Sequence, residues 1–198
     1  MTATERGPLV VLVGVPGAGK SSVGSRVAEL LGVGFRDTDH DIVAATGREI
    51  ADIFVDEGEE QFRRLEEEAV ARGLAEHRGV LALGGGAVTR PATRARLRGH
   101  RVVHLGVSAA AAAKRVGLAR ERPVLALNPR ATLTRLLAER APLYAEVSTD
   151  TVDTDERDPE AVAAAVVALL GLEAGPEAGA GSASSGPPTA PEPRSTQP

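Results

Sequence analysis

An α/β fold, in which helices cover both faces of a five-stranded parallel sheet, is predicted by three observations. Short runs of branched apolar residues alternate along the chain with segments of helical periodicity, as in successive strand–helix–strand units. The first run, Leu9–Val13, is apolar throughout, as suits a strand buried on both faces. It leads through Gly14-Val15-Pro16-Gly17-Ala18-Gly19-Lys20-Ser21 into an amphipathic helix, and that pattern in that context is a phosphate-binding loop.

Taken in order, the elements are these. Strand Leu9–Val13 precedes helix Ser21–Leu31, in which Val23, Val27, Leu30 and Leu31 recur at helical spacing. A short strand, Gly34–Asp37, is followed by helical patterns over Asp39–Thr46 and Ile50–Glu57, an inserted segment expected to face the phosphate edge. Helix Glu59–Glu76 comes next, with Phe62 and Leu65 on one stripe, and then strand Val80–Leu83. Helix Pro91–Arg98, strand Arg101–Val107, and helices Ser108–Val116 and Ala131–Ala141 follow. Strand Asp150–Thr154 and helix Pro159–Leu170 close the pattern. Right-handed crossovers would bring the strand ends to one edge, where ligands bind.

Composition sets the bounds. The 198 residues suit one domain over residues 8–170, with a short leader at 1–7. From about Gly171 to Pro198, glycine, proline, alanine and serine dominate, and a segment with so little to bury is expected to be a disordered tail. Apolar content of 42% with only 2% aromatics implies an aliphatic, alanine-rich core. The chain has no cysteine, which excludes disulfides, thiolate metal sites and cysteine nucleophiles. A net charge of −4 gives no reason to expect nucleic acid or an anionic membrane as partner. The run at 9–13 is too short to span a bilayer and lacks signal-peptide flanks, so a cytoplasmic protein is expected, acting as a monomer.

In the phosphate-binding loop, glycines let backbone N–H groups converge on phosphate oxygens, and the helix that starts there adds its positive end. Lys20 can reach the β- and γ-phosphates, and the Ser21 hydroxyl suits Mg²⁺. Lys20 and Lys114 are the only lysines, so one standing at the loop's defining position argues against a chance match.

The strand ends hold the remaining chemistry. Asp37-Thr38-Asp39 closes the second strand; Asp39 is an ordinary helix cap in isolation, but opposite a phosphate loop both carboxylates can fall in the crevice. The third strand ends in Gly84-Gly85-Gly86, where many such proteins place a magnesium-holding aspartate, which leaves Asp37 as the available carboxylate. A tight strand-to-helix turn would be satisfied by one or two glycines; three suit close approach of a ligand to backbone N–H groups. Arg63, Glu66 and Glu67 share a helix face, which by itself is what a surface ion pair needs. Arg115, Arg120 and Arg122 lie on the glycine-punctuated stretch Arg115–Pro123, which suits either a lid over ATP, at about 116–129, or a solvated basic loop. Arg140 falls at a predicted helix end, where the helix dipole is reason enough for it.

These pieces, in this order, resemble shikimate kinase across about residues 9–170. Besides the loop, the resemblance rests on Asp37-Thr38-Asp39, Gly47–Phe54, Glu59–Glu66, Leu83–Val88, Arg122–Leu125 and Arg140-Ala141-Pro142-Leu143-Tyr144. It implies a P-loop, three-layer α/β/α kinase with a small helical substrate-binding subdomain at about 38–66 and a lid. The implied reaction is transfer of the ATP γ-phosphate to the 3-hydroxyl of shikimate, in aromatic amino-acid biosynthesis, with one Mg²⁺ per subunit and ATP as co-substrate. Carried over by position, Lys20, Asp39 and Arg122 would be catalytic. Asp39, Arg63, Gly85, Gly86 and Arg140 would hold shikimate, the two arginines on its carboxylate. Ser21 would bind Mg²⁺ directly and Asp37 through water. Gly17, Ala18, Gly19, Lys20, Ser21, Ser22, Arg115 and Arg122 would bind ATP, with Arg157 and Pro159 beside adenine. Ser22 stands where threonine is common, and Val124 where leucine is usual. The rivals are a gluconate or adenylylsulfate kinase of the same architecture and a nucleotide-dependent switch. A GTPase-like switch would need a guanine-reading N-K-x-D, whereas the only asparagine, Asn128, precedes proline.

Overall fold

Four consecutive branched residues form β1 (Val10–Val13), and each is 0–1% exposed, so helices must cover both faces of the sheet. The computed structural model describes residues 7–118 and 129–172. The other strands are β2 (Phe35–Asp37), β3 (Val80–Ala82), β4 (Val102–Gly106) and β5 (Asp150–Asp153). The helices are α1 (Lys20–Leu31), α2 (Thr38–Thr46), α3 (Ile50–Glu76), α4 (Pro91–Leu97), α5 (Ala109–Leu118), α6 (Pro129–Val147) and α7 (Pro159–Leu170). All neighbouring strands are parallel, in the order β2-β3-β1-β4-β5.

Helix α1 packs on α7, while α3, α4, α6 and α5 pack in succession as a second group. The aliphatic core predicted from composition lies between these layers and the sheet, around Leu12, Leu81, Leu105 and Val166. A separate small cluster, Ile42, Ile53, Phe62 and Ala69, joins α2 to α3. No helix among the described residues is long and apolar enough to cross a membrane.

Three differences from the predicted boundaries bear on the site. Helix α2 starts at Thr38, because Asp37 is its cap and accepts from the Asp39 N–H at 2.9 Å. The helices predicted over Ile50–Glu57 and Glu59–Glu76 meet at Gly58, which leaves helical geometry at φ 82° and ψ 171° and kinks α3 there. Helix α6 does not stop at Ala141 but continues through Pro142 to Val147. Pro142 and Ala138 are both exposed, so the carbonyl that proline leaves without its helical partner faces water, and Leu133 and Tyr144 anchor the helix on either side. Arg140 is therefore inside a helix, not at its end. Gly7, assigned to the leader, is buried against His100.

Gly79 leads into β3, where a Cβ would overlap the Gly34 backbone carbonyl, which also accepts from the Val80 N–H at 2.9 Å. Backbone on both sides leaves no room to relax. Gly79→Ala is expected to cost about 1–3 kcal/mol, as overpacking does. The urea midpoint checks this, and an unchanged midpoint would contradict it.

Candidate active site

The chain leaves β1 at the carboxyl edge of the sheet and turns through the glycine loop into α1. Gly17, at φ 84°, supplies a conformation that L side chains avoid, and a Cβ there would lie 2.7 Å from the Ala112 carbonyl of α5. The loop is thus pressed between α1 and α5. Lys20 Nζ donates to the Gly14 and Val15 carbonyls at 2.8 and 3.2 Å, so its charge sits within the loop's own curve. Arg115 of α5 donates to the Gly17 carbonyl at 3.3 Å and to both the hydroxyl and carbonyl of Thr154, tying the loop to the end of β5. A cleft of about 320 Å³ opens here, lined by the loop together with Asp37, Asp39, Leu83 and Arg115.

Asp37, only 8% exposed, accepts from the Ser21 hydroxyl at 2.7 Å with the carboxylate oxygen that does not cap α2. Two hard oxygen ligands therefore meet beside the loop, a donor set that suits Mg²⁺, which typically takes few protein ligands and the rest from phosphate and water. Among the described residues no group of three or more histidine, cysteine or acidic side chains is placed to hold a metal ion by itself.

Beyond β3, each glycine of the turn is closely approached by a different group. A Cβ at Gly84 would lie 2.6 Å from Asp39 Oδ1 and also overlap Glu66 Oε1. One at Gly85 would be 2.8 Å from Pro16 Cδ of the phosphate loop, and one at Gly86 would run into the Arg63 guanidinium. The Gly84 N–H donates to the buried Thr38 hydroxyl at 2.9 Å. Three glycines are needed because three neighbours converge; a simple tight turn is not the explanation.

The shared face of α3 points inward. Arg63 and Glu66 are 8% and 1% exposed and meet at 2.6 Å, with Glu59 at 3.0 Å on the other side of the guanidinium. Burial pulls the Arg63 guanidinium down, yet Glu66 and Glu59 outweigh it and it is held above its ordinary value. Burial pushes the Glu66 carboxyl up, with Arg63 opposing and Asp39 adding to the rise. The Phe54 and Phe62 ring centroids lie 5.9 and 5.3 Å from the guanidinium carbon, both within cation–π range. The expectation of a surface pair fails here, and only Glu67 looks outward, to Arg90 and Arg96. From α6, Arg140 Nη1 and the Tyr144 hydroxyl both donate to the Gly85 carbonyl, at 2.8 and 2.7 Å.

Comparison with known proteins gives this geometry a family. The shikimate kinase family model matches residues 16–170. The chain belongs to the shikimate kinase family. A shikimate kinase from Salinispora arenicola is 60% identical over 163 residues, 82% of this chain and 98% of that protein. One from Streptomyces avermitilis is 57% identical over 166 residues, 84% and 97% of the two chains. The solved structure of a shikimate kinase from Acinetobacter baumannii, in complex with shikimate, superposes with a TM-score of 0.78 at 38% identity and covers 81% of this chain and 91% of that one. The five-stranded parallel sheet with its phosphate loop is accordingly that of a P-loop kinase.

In this shikimate kinase family member, the residues singled out from the sequence fall into three groups. Gly17, Gly19, Lys20, Ser21, Ser22, Asp37, Asp39 and Arg115 all line the cleft, while Ala18 is buried beneath the loop. Arg63, Gly85, Gly86 and Arg140 assemble behind it, around the glycine turn. Arg157 and Pro159 do not line the cleft; Arg157 donates to the Asp153 and Ala161 carbonyls past the end of β5. Arg120 and Arg122 lie outside the described residues, as does most of the predicted lid. Glu66, Thr38 and Tyr144 were given no place in the site from sequence. The three-residue spacing of Glu66 from Arg63 was the available signal for the first; nothing local marks the other two as facing the turn.

Proposed function

We propose that this chain transfers the γ-phosphoryl group of ATP to the 3-hydroxyl of shikimate, giving shikimate 3-phosphate and ADP. The observation that carries this is the contact between two sites. The phosphate loop touches, through Pro16 and Gly85, a turn that both Arg63 and Arg140 reach. A polyol bearing a carboxylate needs guanidinium forks for the acid and a carboxylate for its hydroxyls, and both stand within one turn of the phosphate end. The family match and the A. baumannii relative solved with shikimate support the same substrate.

In this reading, Arg63 and Arg140 grip the carboxylate, and Gly85 and Gly86 border the acceptor closely enough to present their backbone. Asp39 accepts a hydrogen bond from the attacking hydroxyl and takes its proton late, because a loose transition state asks little of a base. Lys20 leaves the loop carbonyls for the β- and γ-phosphate oxygens, and the loop N–H groups hold the phosphates in line. Ser21 and Asp37 fit Mg²⁺, which when bound neutralises phosphate charge. Arg115 serves ATP from beside the loop, and Arg157 and Pro159, outside the cleft lining, are assigned to the adenine side. Arg122, assigned to the transferring group, lies outside the described residues, and the cluster around Ile42 and Phe62 forms the core of the acceptor subdomain at 38–66.

A coupled ADP-release assay over shikimate, gluconate and adenylylsulfate tests the reading. Turnover should depend on shikimate, and equal or faster turnover with either of the others would displace it. The arginine assignment has its own check in Gly86→Ala. The added methyl meets the Arg63 guanidinium, not backbone, and that group is buried against Glu66, so a lower melting temperature is expected alongside the kinetic effect. The shikimate KM should rise about tenfold or more, as expected for a lost charge-assisted hydrogen bond, with ATP KM unchanged. An unaltered shikimate KM would separate Arg63 from substrate.

A further inference from the structure

We infer that Tyr144 is a positioning residue for the acceptor: through the Gly85 carbonyl that it shares with Arg140, its hydroxyl fixes where that guanidinium and the glycine turn stand. Tyr144 is 1% exposed and follows Arg140 by four residues on α6, so the two side chains share a face. A carbonyl oxygen has two lone pairs, and here the phenol O–H and Arg140 Nη1 take one each, at 2.7 and 2.8 Å. The guanidinium is thus referenced to the same atom that anchors the turn, and the next contact from Gly85 is Pro16 of the phosphate loop. The phenol ring is itself fixed. It stacks on His104 with centroids 4.7 Å apart and planes 13° from parallel, and His104 pairs in register with Val13, the last residue of β1.

The chemistry keeps this arrangement in one state. Burial pushes the phenol up to about 12, with the Arg140 guanidinium pulling against it, so the hydroxyl remains a donor at neutral pH. Burial, and then the Lys20 charge, hold the His104 imidazole below its ordinary range, so a neutral ring faces the phenol. A residue present only to fill the core would need the ring and not the hydroxyl. Here the hydroxyl makes the contact that reaches the site.

The inference rests on the reading of Arg140 as a carboxylate partner, and the experiment keeps the two apart. Steady-state kinetics are measured on the full chain as wild type, Tyr144→Phe, Arg140→Ala and the double variant. Tyr144→Phe keeps the stacked ring and should melt near the wild-type temperature. Its shikimate KM should rise about three- to tenfold, the scale of one neutral hydrogen bond, with ATP KM unchanged. In the Arg140→Ala background the same change should have a clearly smaller effect, because the route through the guanidinium is gone and only that through the glycine turn remains. A wild-type shikimate KM in Tyr144→Phe, an equal rise in ATP KM, or the same fold-change in both backgrounds overturns the inference. If Arg140→Ala leaves shikimate KM unchanged, the carboxylate reading fails first and takes the inference with it.

Discussion

Asp39→Asn is expected to lower turnover by about 10²-fold, the low end for a positioned general base because a loose transition state asks little of one, and to raise shikimate KM at the same time. Asparagine preserves the shape of the side chain beside Gly84, so the close approach of Oδ1 to that glycine survives while the acceptor strength is lost. Asp37→Asn has a different signature. Asp37 caps α2 and accepts from Ser21, so its replacement should weaken magnesium affinity, and activity should recover in part at higher Mg²⁺. Titrating Mg²⁺ against activity in both variants distinguishes them. No metal concentration should rescue Asp39→Asn, and identical metal profiles would mean that the two carboxylates do not divide the work as described.

Glu66→Ala should be the most damaging change to stability among the site residues. It leaves the Arg63 guanidinium buried with only the exposed Glu59 carboxylate in contact. Breaking a buried ion pair from one side costs about 3–5 kcal/mol, which for a domain of this size is a fall of about 6–20 °C in melting temperature. Shikimate affinity should fall with it, since Arg63 loses the partner that aims it. Glu66→Gln keeps a hydrogen-bond acceptor but not the charge and should recover only part of the stability. A melting temperature within 2 °C of wild type for the alanine variant would show that the pair carries little.

Much of this fold was legible in the sequence because its governing signals are local. An apolar run, a glycine loop and a helical repeat placed β1 and α1, and from there the ends of β2 and β3 became the positions to inspect. Asp37 and Ser21 were read as neighbours on that logic, and they are in contact. The face carrying Arg63 and Glu66 was not legible as buried, because three-residue spacing reports which side chains meet and not whether another segment covers them. The continuation of α6 through Pro142 was missed for a related reason. Proline breaks a helix on local grounds, whereas Leu133 and Tyr144, packed into the core, keep this one intact. Tyr144 stood in the quoted motif without a role, since only the folded chain brings its hydroxyl to a glycine 59 residues away.

Identification of the product by ³¹P NMR, after incubation of the full chain with ATP, Mg²⁺ and shikimate, tests the central claim most directly. The account predicts one new phosphate monoester on the 3-hydroxyl, formed mole for mole with ADP and absent when shikimate is omitted. Inorganic phosphate as the only new signal, or a phosphate on another hydroxyl of the ring, would contradict it.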